Sequence, residues 1–188
     1  MARTRAEFGG ADARTAQAAR DLGLFLLKSG DRVAARSALA ESLKLDDAAL
    51  GPNAPQTLED AATLAGISAP AQAVPLLRRA AESSDASVAG PALTSLAGLR
   101  KSAGDLPGAA ALYRRAVEKA EAMEGRDSPL VALVLTQLAL VAPPPEALAA
   151  LRRALAIDHQ ALGPQHPQTL AAARALAALE QRVKAAGR

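Results

Sequence analysis

An eight-residue segment that occurs twice constrains the fold of this chain more strongly than any other feature. The copies are GPNAPQTL at residues 51–58 and GPQHPQTL at residues 163–170. Each contains two prolines, which lack an amide donor and suit the first turn of a helix, so each copy predicts a loop that leads into a helix. A long self-match of this kind is typical of a repeat protein, and the copies mark the boundaries between units.

Composition favours helix throughout the chain. Half of the 188 residues are apolar but only 2% are aromatic, and alanine and leucine, which are strong helix formers, dominate. Residues that favour strands are scarce, so the sequence predicts an all-α protein. There is no cysteine, the formal net charge is only +3, and no apolar run approaches the ~18 residues of a membrane span. We therefore expect a soluble, cytoplasmic protein without membrane attachment.

Apolar spacing divides the chain into helix pairs. Repeats are expected at about residues 11–50, 51–84, 85–124 and 125–162, followed by an unpaired capping helix at 166–185. Together they predict a single α-solenoid domain over residues 11–185, about four and a half units long, preceded by a flexible segment at residues 1–10. The alternative for the last helix is that further repeats follow it in a longer parent protein.

The repeats agree in register. On the first helix of each pair a leucine recurs, followed by a small residue that permits close packing; the leucines are Leu22, Leu64, Leu96, Leu138 and Leu176. Three residues further on an apolar residue recurs, which is Phe25 in the first repeat. On the second helix alanines recur at intervals of 38, 36 and 38 residues; they are Ala35, Ala73, Ala109 and Ala147. One helix pair cannot bury its apolar stripe alone, so each repeat is expected to pack on its neighbour.

This pattern resembles the tetratricopeptide repeat (TPR) family, in particular the long-loop repeats of kinesin light chains and of many bacterial proteins. The family's motif positions in the third repeat are filled by Leu96, Ala97, Gly104, Asp105, Ala109, Tyr113 and Ala116. Residues 153–170 resemble the kinesin-light-chain linker, and by register Tyr113 is expected in the core. HEAT-type helical repeats are the alternative, but the Gly-Asp turn followed by alanine argues against them.

The resemblance implies that the first helices line a concave groove that binds a peptide. By register the groove-facing candidates are Arg20, Asp21, Leu24, Thr63, Thr94, Ser95, Lys101, Thr136, Gln137, Leu140 and Arg174. Kinesin-light-chain-like repeats often carry an asparagine just before the leucine to hold a peptide backbone, and that asparagine is missing here. The basic candidates Arg20, Lys101 and Arg174 favour an acidic segment of a partner protein. The alternative is that all of these are solvated surface residues.

Paired arginines recur on the second helices. They are Arg78-Arg79, Arg114-Arg115 and Arg152-Arg153. One interpretation is a stripe that tracks the phosphates of a nucleic acid. The favoured interpretation is that the arginine stems cover apolar surface close to Glu118, Glu121 and Asp158, since no aromatic residues are interleaved to stack on bases.

The sequence carries no catalytic or metal-binding pattern. His159 and His166 are the only histidines and lack a third ligand at a recognisable spacing, and neither a phosphate-binding loop nor a serine nucleophile motif occurs. We therefore expect no metal, no cofactor and no enzymatic activity. Our hypothesis is a non-enzymatic protein-interaction scaffold. The alternatives are a sensory or regulatory input domain that binds a ligand in the groove and, less favoured, a nucleic-acid binder.

Overall fold

The computed structural model describes residues 13–186 of the chain. This part consists of helices and short loops, and it contains no strand, which confirms the predicted all-α class. The helices are α1 (Ala13–Lys28), α2 (Arg32–Ala49), α3 (Pro55–Ala65), α4 (Pro70–Ala80), α5 (Ala86–Ser102), α6 (Leu106–Glu124), α7 (Pro129–Ala139), α8 (Pro144–Leu162) and α9 (Pro167–Ala186). The flexible segment expected at residues 1–10 lies outside the described range.

Local sequence signals explain where the helices begin. Proline occupies the first turn of α3, α4, α7 and α8, where its missing amide would have no helical acceptor. Aspartates cap α2 and α6. The carboxylate of Asp31 accepts from the backbone N–H of Ala34 at 3.0 Å, and that of Asp105 accepts from Gly108 at 2.9 Å. Such caps satisfy donors that have no partner inside the helix.

The segment that repeats in the sequence also repeats in structure. Each copy begins with a glycine in the left-handed region, at φ 89° for Gly51 and 87° for Gly163, where a side chain would be strained. Each loop is closed by its own threonine. The hydroxyl of Thr57 donates to the carbonyl of Gly51 at 2.9 Å, and that of Thr169 donates to Gly163 at 2.8 Å. Both copies therefore form a loop that leads into a helix, as predicted.

The chain forms two compact halves, Met1–Ala92 and Leu93–Arg188, and the boundary falls inside α5. In the N-terminal half α1 packs on α2, and α3 packs on α2 and α4, around a core of Leu39, Leu43, Ala61 and Leu64. In the C-terminal half α7 packs on α6 and α8, and α9 packs on α8. Tyr113 belongs to this second core, as the register predicted, and is 2% exposed. The organisation as one domain stays a prediction.

The contact between α1 and α2 depends on a glycine. A Cβ atom at Gly23 would lie 2.6 Å from Cγ of Leu39, so only a residue without a side chain allows this approach. The same register placed Leu22 and Phe25 in the core, and this expectation is wrong. They are 39% and 66% exposed.

Candidate functional site

Arg20, the first groove candidate, lies inside the N-terminal half and is only 8% exposed. Its guanidinium donates to the carboxylate of Asp46 at 2.7 Å and to the carboxylate of Asp60. Ser42 joins the cluster by donating to Asp60 at 2.5 Å. The prediction that Arg20 presents a cation to the groove is therefore wrong, because α2 and α3 supply carboxylates that take up its charge.

The positive charge of Arg20 is compensated within its own cluster. Burial raises the pKa of Asp46, repulsion from Asp60 adds to this, and attraction to Arg20 opposes both. Burial lowers the pKa of Arg20, but its hydrogen bond to Asp60 and the charges of both aspartates outweigh that effect and raise it. A guanidinium held between two buried carboxylates has no charge left for an external ligand. We therefore assign Arg20 to the packing of α1 on α2 and α3.

The other candidates of the N-terminal half differ in how accessible they are. Asp21 is exposed and accepts from the side-chain amide of Gln17 at 2.8 Å. Leu24 is 38% exposed. Thr63 is half-buried, and its hydroxyl donates to the carbonyl of Glu59 on its own helix at 2.9 Å. In this half, Asp21 and Leu24 are the candidates whose side chains are exposed.

Two candidates of the C-terminal half meet each other. Nζ of Lys101, at the end of α5, lies 3.5 Å from Oε1 of Gln137 on α7. Both side chains are half-buried, as is Thr94, whereas Ser95 is exposed. The last turn of α5 and the last turn of α7 are therefore in contact through these two side chains.

Helix α7 and its C-cap residue, Leu140, expose two large apolar side chains beside Gln137. Leu133 and Leu140 are 50% and 60% exposed. They stand four residues before and three residues after Gln137, which places all three on one face of the helix. The helix itself carries no charged residue. Leu140 is among the groove residues predicted from the sequence and Leu133 is not, although Leu133 has the same helical spacing from Gln137.

A second cation comes from the last helix. Arg174 on α9 is exposed, and within residues 13–186 it forms no hydrogen bond or ion pair. It corresponds in register to Thr136 of α7, which is half-buried and donates to the carbonyl of Ala132 at 2.9 Å. The register therefore predicts that Lys101 of α5 and Arg174 of α9 lie on the same side of the repeats as Leu133, Gln137 and Leu140. We call the following residues the apolar-basic face: Lys101, Leu133, Gln137, Leu140 and Arg174.

Comparisons with known proteins identify the fold. No protein-family model matches the sequence, and no curated protein matches it. The crystal structure of nearly identical TPR-like repeats of a Podosopora anserina kinesin light chain aligns with 90% of this chain and 86% of its own, at 21% identity and a TM-score of 0.70. BtubC (BKLC) from P. vanneervenii aligns over 92% of this chain and 81% of its own, at 19% identity and a TM-score of 0.72. The chain is a TPR-like repeat protein in fold.

The TPR-like fold confirms the resemblance drawn from the third repeat and the linker. It also confirms the predicted class, an all-α solenoid of antiparallel helix pairs. At identities of 21% and 19% the likeness extends to the fold alone. Binding residues are therefore not transferred from these structures to this chain.

In this TPR-like protein the paired arginines connect neighbouring elements. The ion pairs are Arg79 with Asp47, Arg114 with Glu146, Arg152 with Glu180, and Arg153 with Glu121. Arg114 binds Glu146 through two bonds of 2.7 Å, and these hydrogen bonds lower the pKa of Glu146. Arg79 and Arg153 also donate to loop carbonyls, those of Pro52 at 2.9 Å and Arg126 at 2.7 Å. Guanidinium groups that are already paired with carboxylates bind the phosphates of a nucleic acid poorly, which disfavours the nucleic-acid alternative.

An open pocket of about 320 Å³ lies in the C-terminal half, beside the start of α6. Its lining consists of Leu106, Pro107, Ala110, Arg114, Val141, Ala142 and Pro143. Arg114 is the one charged residue in this lining, and Glu146 already binds it. The pocket is thus an apolar recess without the adjacent acid, base and nucleophile that a catalytic site requires.

The histidines of the TPR-like chain do not belong to a metal cluster. His159 and His166 are both exposed, and among residues 13–186 no three His, Asp or Glu side chains lie close enough together to hold a metal ion. In the same range, no helix combines the length and the apolar character needed to cross a membrane.

Proposed function

We propose that the protein is a non-enzymatic scaffold that binds a peptide segment of a partner protein on its apolar-basic face. The observation that carries this proposal is the exposure of Leu133, on a helix without charged residues, and of Leu140, the C-cap of the same helix. Large apolar side chains that remain exposed on one helix face are typical of an interaction surface. The TPR-like fold supports the proposal as well. Cytoplasmic location and action as a single domain are part of it.

The chemistry of the face favours a segment that combines apolar and acidic side chains. Full burial of a leucine contributes ~1.5–3 kcal/mol, so two leucines supply a useful part of a binding energy. The amide of Gln137 can donate to and accept from an extended peptide backbone. Lys101 and Arg174 add positive charge, which attracts carboxylates and does so less at high salt.

The test is an affinity capture from a lysate of the source organism with the immobilised full chain. One variant carries Leu133→Ser with Leu140→Ser, and a second carries Lys101→Glu with Arg174→Glu. The matched control is Leu50→Ser, which removes a leucine that is 47% exposed in the N-terminal half. We expect a partner retained by the wild type and the control, and at least ~10-fold less of it on both variants, a difference of ~1.4 kcal/mol.

A captured partner then gives a direct measurement. Its acidic segment is made as a labelled peptide, and the dissociation constant is followed by fluorescence anisotropy at several salt concentrations. The constant should rise with salt for the wild type and be nearly independent of salt for the Lys101→Glu, Arg174→Glu variant. Equal capture by all variants would contradict the proposed face, and capture of nucleic acid alone would replace the proposal with the electrostatic alternative.

A further inference from the structure

Asp158, near the end of α8, is a buried carboxylate with an incomplete set of partners. It is 0% exposed. Its Oδ1 accepts from the side-chain amide of Gln168 at 3.2 Å. Its Oδ2 is buried and has no hydrogen-bond partner among the described residues. An ionised carboxylate in this position would carry an uncompensated charge, which is costly in a protein interior.

Asp46, just before the first copy of the repeated segment, has partners that Asp158, just before the second copy, lacks. The two aspartates each stand five residues before the glycine that begins a copy, so they are equivalent. Arg20 neutralises Asp46, but the equivalent of Arg20 in the last repeat is Thr136, whose hydroxyl donates to its own helix. At the position of Asp60, the second carboxylate of the Arg20 cluster, the last repeat has Ala172. The last repeat therefore keeps the aspartate without its cation.

Asp158 also lies at the joint between α8 and α9. The hydroxyl of Thr169, in the first turn of α9, lies 3.2 Å from the carbonyl of Asp158. The side chain of Gln168 in the same turn supplies the only described hydrogen bond to the carboxyl group. Both contacts fasten α9 to α8, so the charge on Asp158 acts directly on this joint.

Few charged groups act on Asp158 from the surrounding elements. α7 carries none. In the loop, a positive charge on His166 would lower the pKa of Asp158, whereas burial, the larger effect, raises it. His166 also accepts from the backbone N–H of Gln168 at 3.2 Å through Nδ1. On α6, Glu121 is paired with Arg153. On α8 itself, Arg152 and His159 are exposed. The charged groups of α9 are exposed as well; they are Arg174, Glu180, Arg182 and Lys184.

We propose that Asp158 makes the docking of α9 on α8 dependent on pH: the neutral acid fits the joint, and the ionised carboxylate loosens it. The docked state binds the proton more tightly than the detached state does. Docking is therefore strongest below the ordinary range of an aspartic acid and weakens as the pH rises through the raised range of Asp158.

The experiment is amide hydrogen exchange of the full chain, read by mass spectrometry between pH 4.5 and 7.5 and corrected for intrinsic exchange rates. For wild type, the protection of α9 should fall as the pH rises over this range, by up to ~10-fold for each unit of pKa difference between the docked and detached states. The protection of α6 in the same molecule serves as the internal reference and should stay nearly constant.

The deciding variant is Asp158→Asn, which keeps the shape and cannot ionise. Its α9 protection should be independent of pH, while the control Asp127→Asn, at an exposed loop aspartate, should behave as wild type does. His166→Gln should keep the pH dependence. Titration of the Asp158 carboxyl carbon by NMR in the wild type gives a reading that does not depend on any variant. An unchanged pH dependence in Asp158→Asn, its loss in His166→Gln, or a carboxyl that titrates in the ordinary aspartate range would each overturn the proposal.

Discussion

Asp46 and Asp158 occupy equivalent positions and experience different surroundings. Both are buried, and burial raises the pKa of each. Asp46 is compensated by a guanidinium from α1, whereas Asp158 receives one amide hydrogen bond from Gln168. The same residue type at the same register position is thus part of a closed ion cluster in one repeat and a potential titrating group in the other. The difference lies in what two positions carry: Arg20 against Thr136, and Asp60 against Ala172.

Replacement of Arg20 should show what the closed cluster contributes to stability. Arg20→Met leaves two buried carboxylates without a cation, and removing one partner of a buried pair typically costs ~3–5 kcal/mol of unfolding free energy. The loss should shrink as the pH is lowered, because the buried carboxylate of Asp46, whose pKa is raised by burial, then binds a proton and no longer needs the cation. Urea unfolding at two pH values measures both effects.

The matched control for Arg20→Met is Arg182→Met, which removes an exposed arginine that forms no ion pair among the described residues. It should change the unfolding free energy by less than ~0.5 kcal/mol. If Arg20→Met were as mild as this control, the guanidinium would not be needed inside the protein, and Arg20 would again be available to the groove.

At the scale of elements, the glycines of α1 and α5 differ in the space that is available for a Cβ atom. Gly23 is buried where α1 crosses α2, and a Cβ there would lie 2.6 Å from Leu39. Gly98 on α5 is half-buried, and a Cβ there would meet Tyr113 Oη at 3.9 Å, an ordinary contact distance. The first glycine is required by helix packing, and the second is not.

Gly23→Ala and Gly98→Ala should therefore change stability in opposite directions. Alanine favours helix over glycine by ~1 kcal/mol, so Gly98→Ala is expected to stabilise the protein by ~0.5–1 kcal/mol. In Gly23→Ala the overpacking cost of ~1–3 kcal/mol is larger than this gain, and the protein should be destabilised. Thermal unfolding of both variants is the measurement. Stabilisation by Gly23→Ala would mean that α1 and α2 pack less closely than the structure indicates.

At the scale of the whole molecule, the buried repeat leucines contribute to stability, whereas the exposed leucines belong to the proposed binding surface. Leu138 is 5% exposed and belongs to the core of the C-terminal half, whereas Leu140, two residues later, is 60% exposed. Although the two leucines are close in the sequence, Leu138 takes part in the stacking of helix pairs and Leu140 belongs to the proposed partner surface. In a repeat protein the first task determines stability and the second leaves it nearly unaffected.

Substituting these two leucines should separate stability from binding. Leu138→Ala creates a cavity and should lower the unfolding free energy by ~2–5 kcal/mol. Leu140→Ala should lower it by less than ~0.5 kcal/mol and instead reduce the amount of partner retained in the affinity capture. Equal losses of stability in the two variants would contradict the assignment of Leu140 to the surface.

Much of the architecture could be predicted from the sequence because its causes are local. The linker copies each contain a glycine that can adopt positive φ, prolines suited to a first turn, and a threonine that closes the loop on the glycine carbonyl. Helical spacing of alanine and leucine specifies the helix pairs, and the register of the leucines reveals the repeat. These signals involve residues that are close together in the sequence, so they do not depend on how the repeats pack on one another.

Only the tertiary structure decided which side chains remain available for binding. The partners of Arg20 are 26 and 40 residues away in the chain, so its burial could not be read from its helix. Leu22 and Phe25 follow the register of buried residues and are nevertheless exposed. Turns and helix ends depend on a residue's own neighbours in the sequence, whereas burial and charge compensation depend on which elements pack beside it.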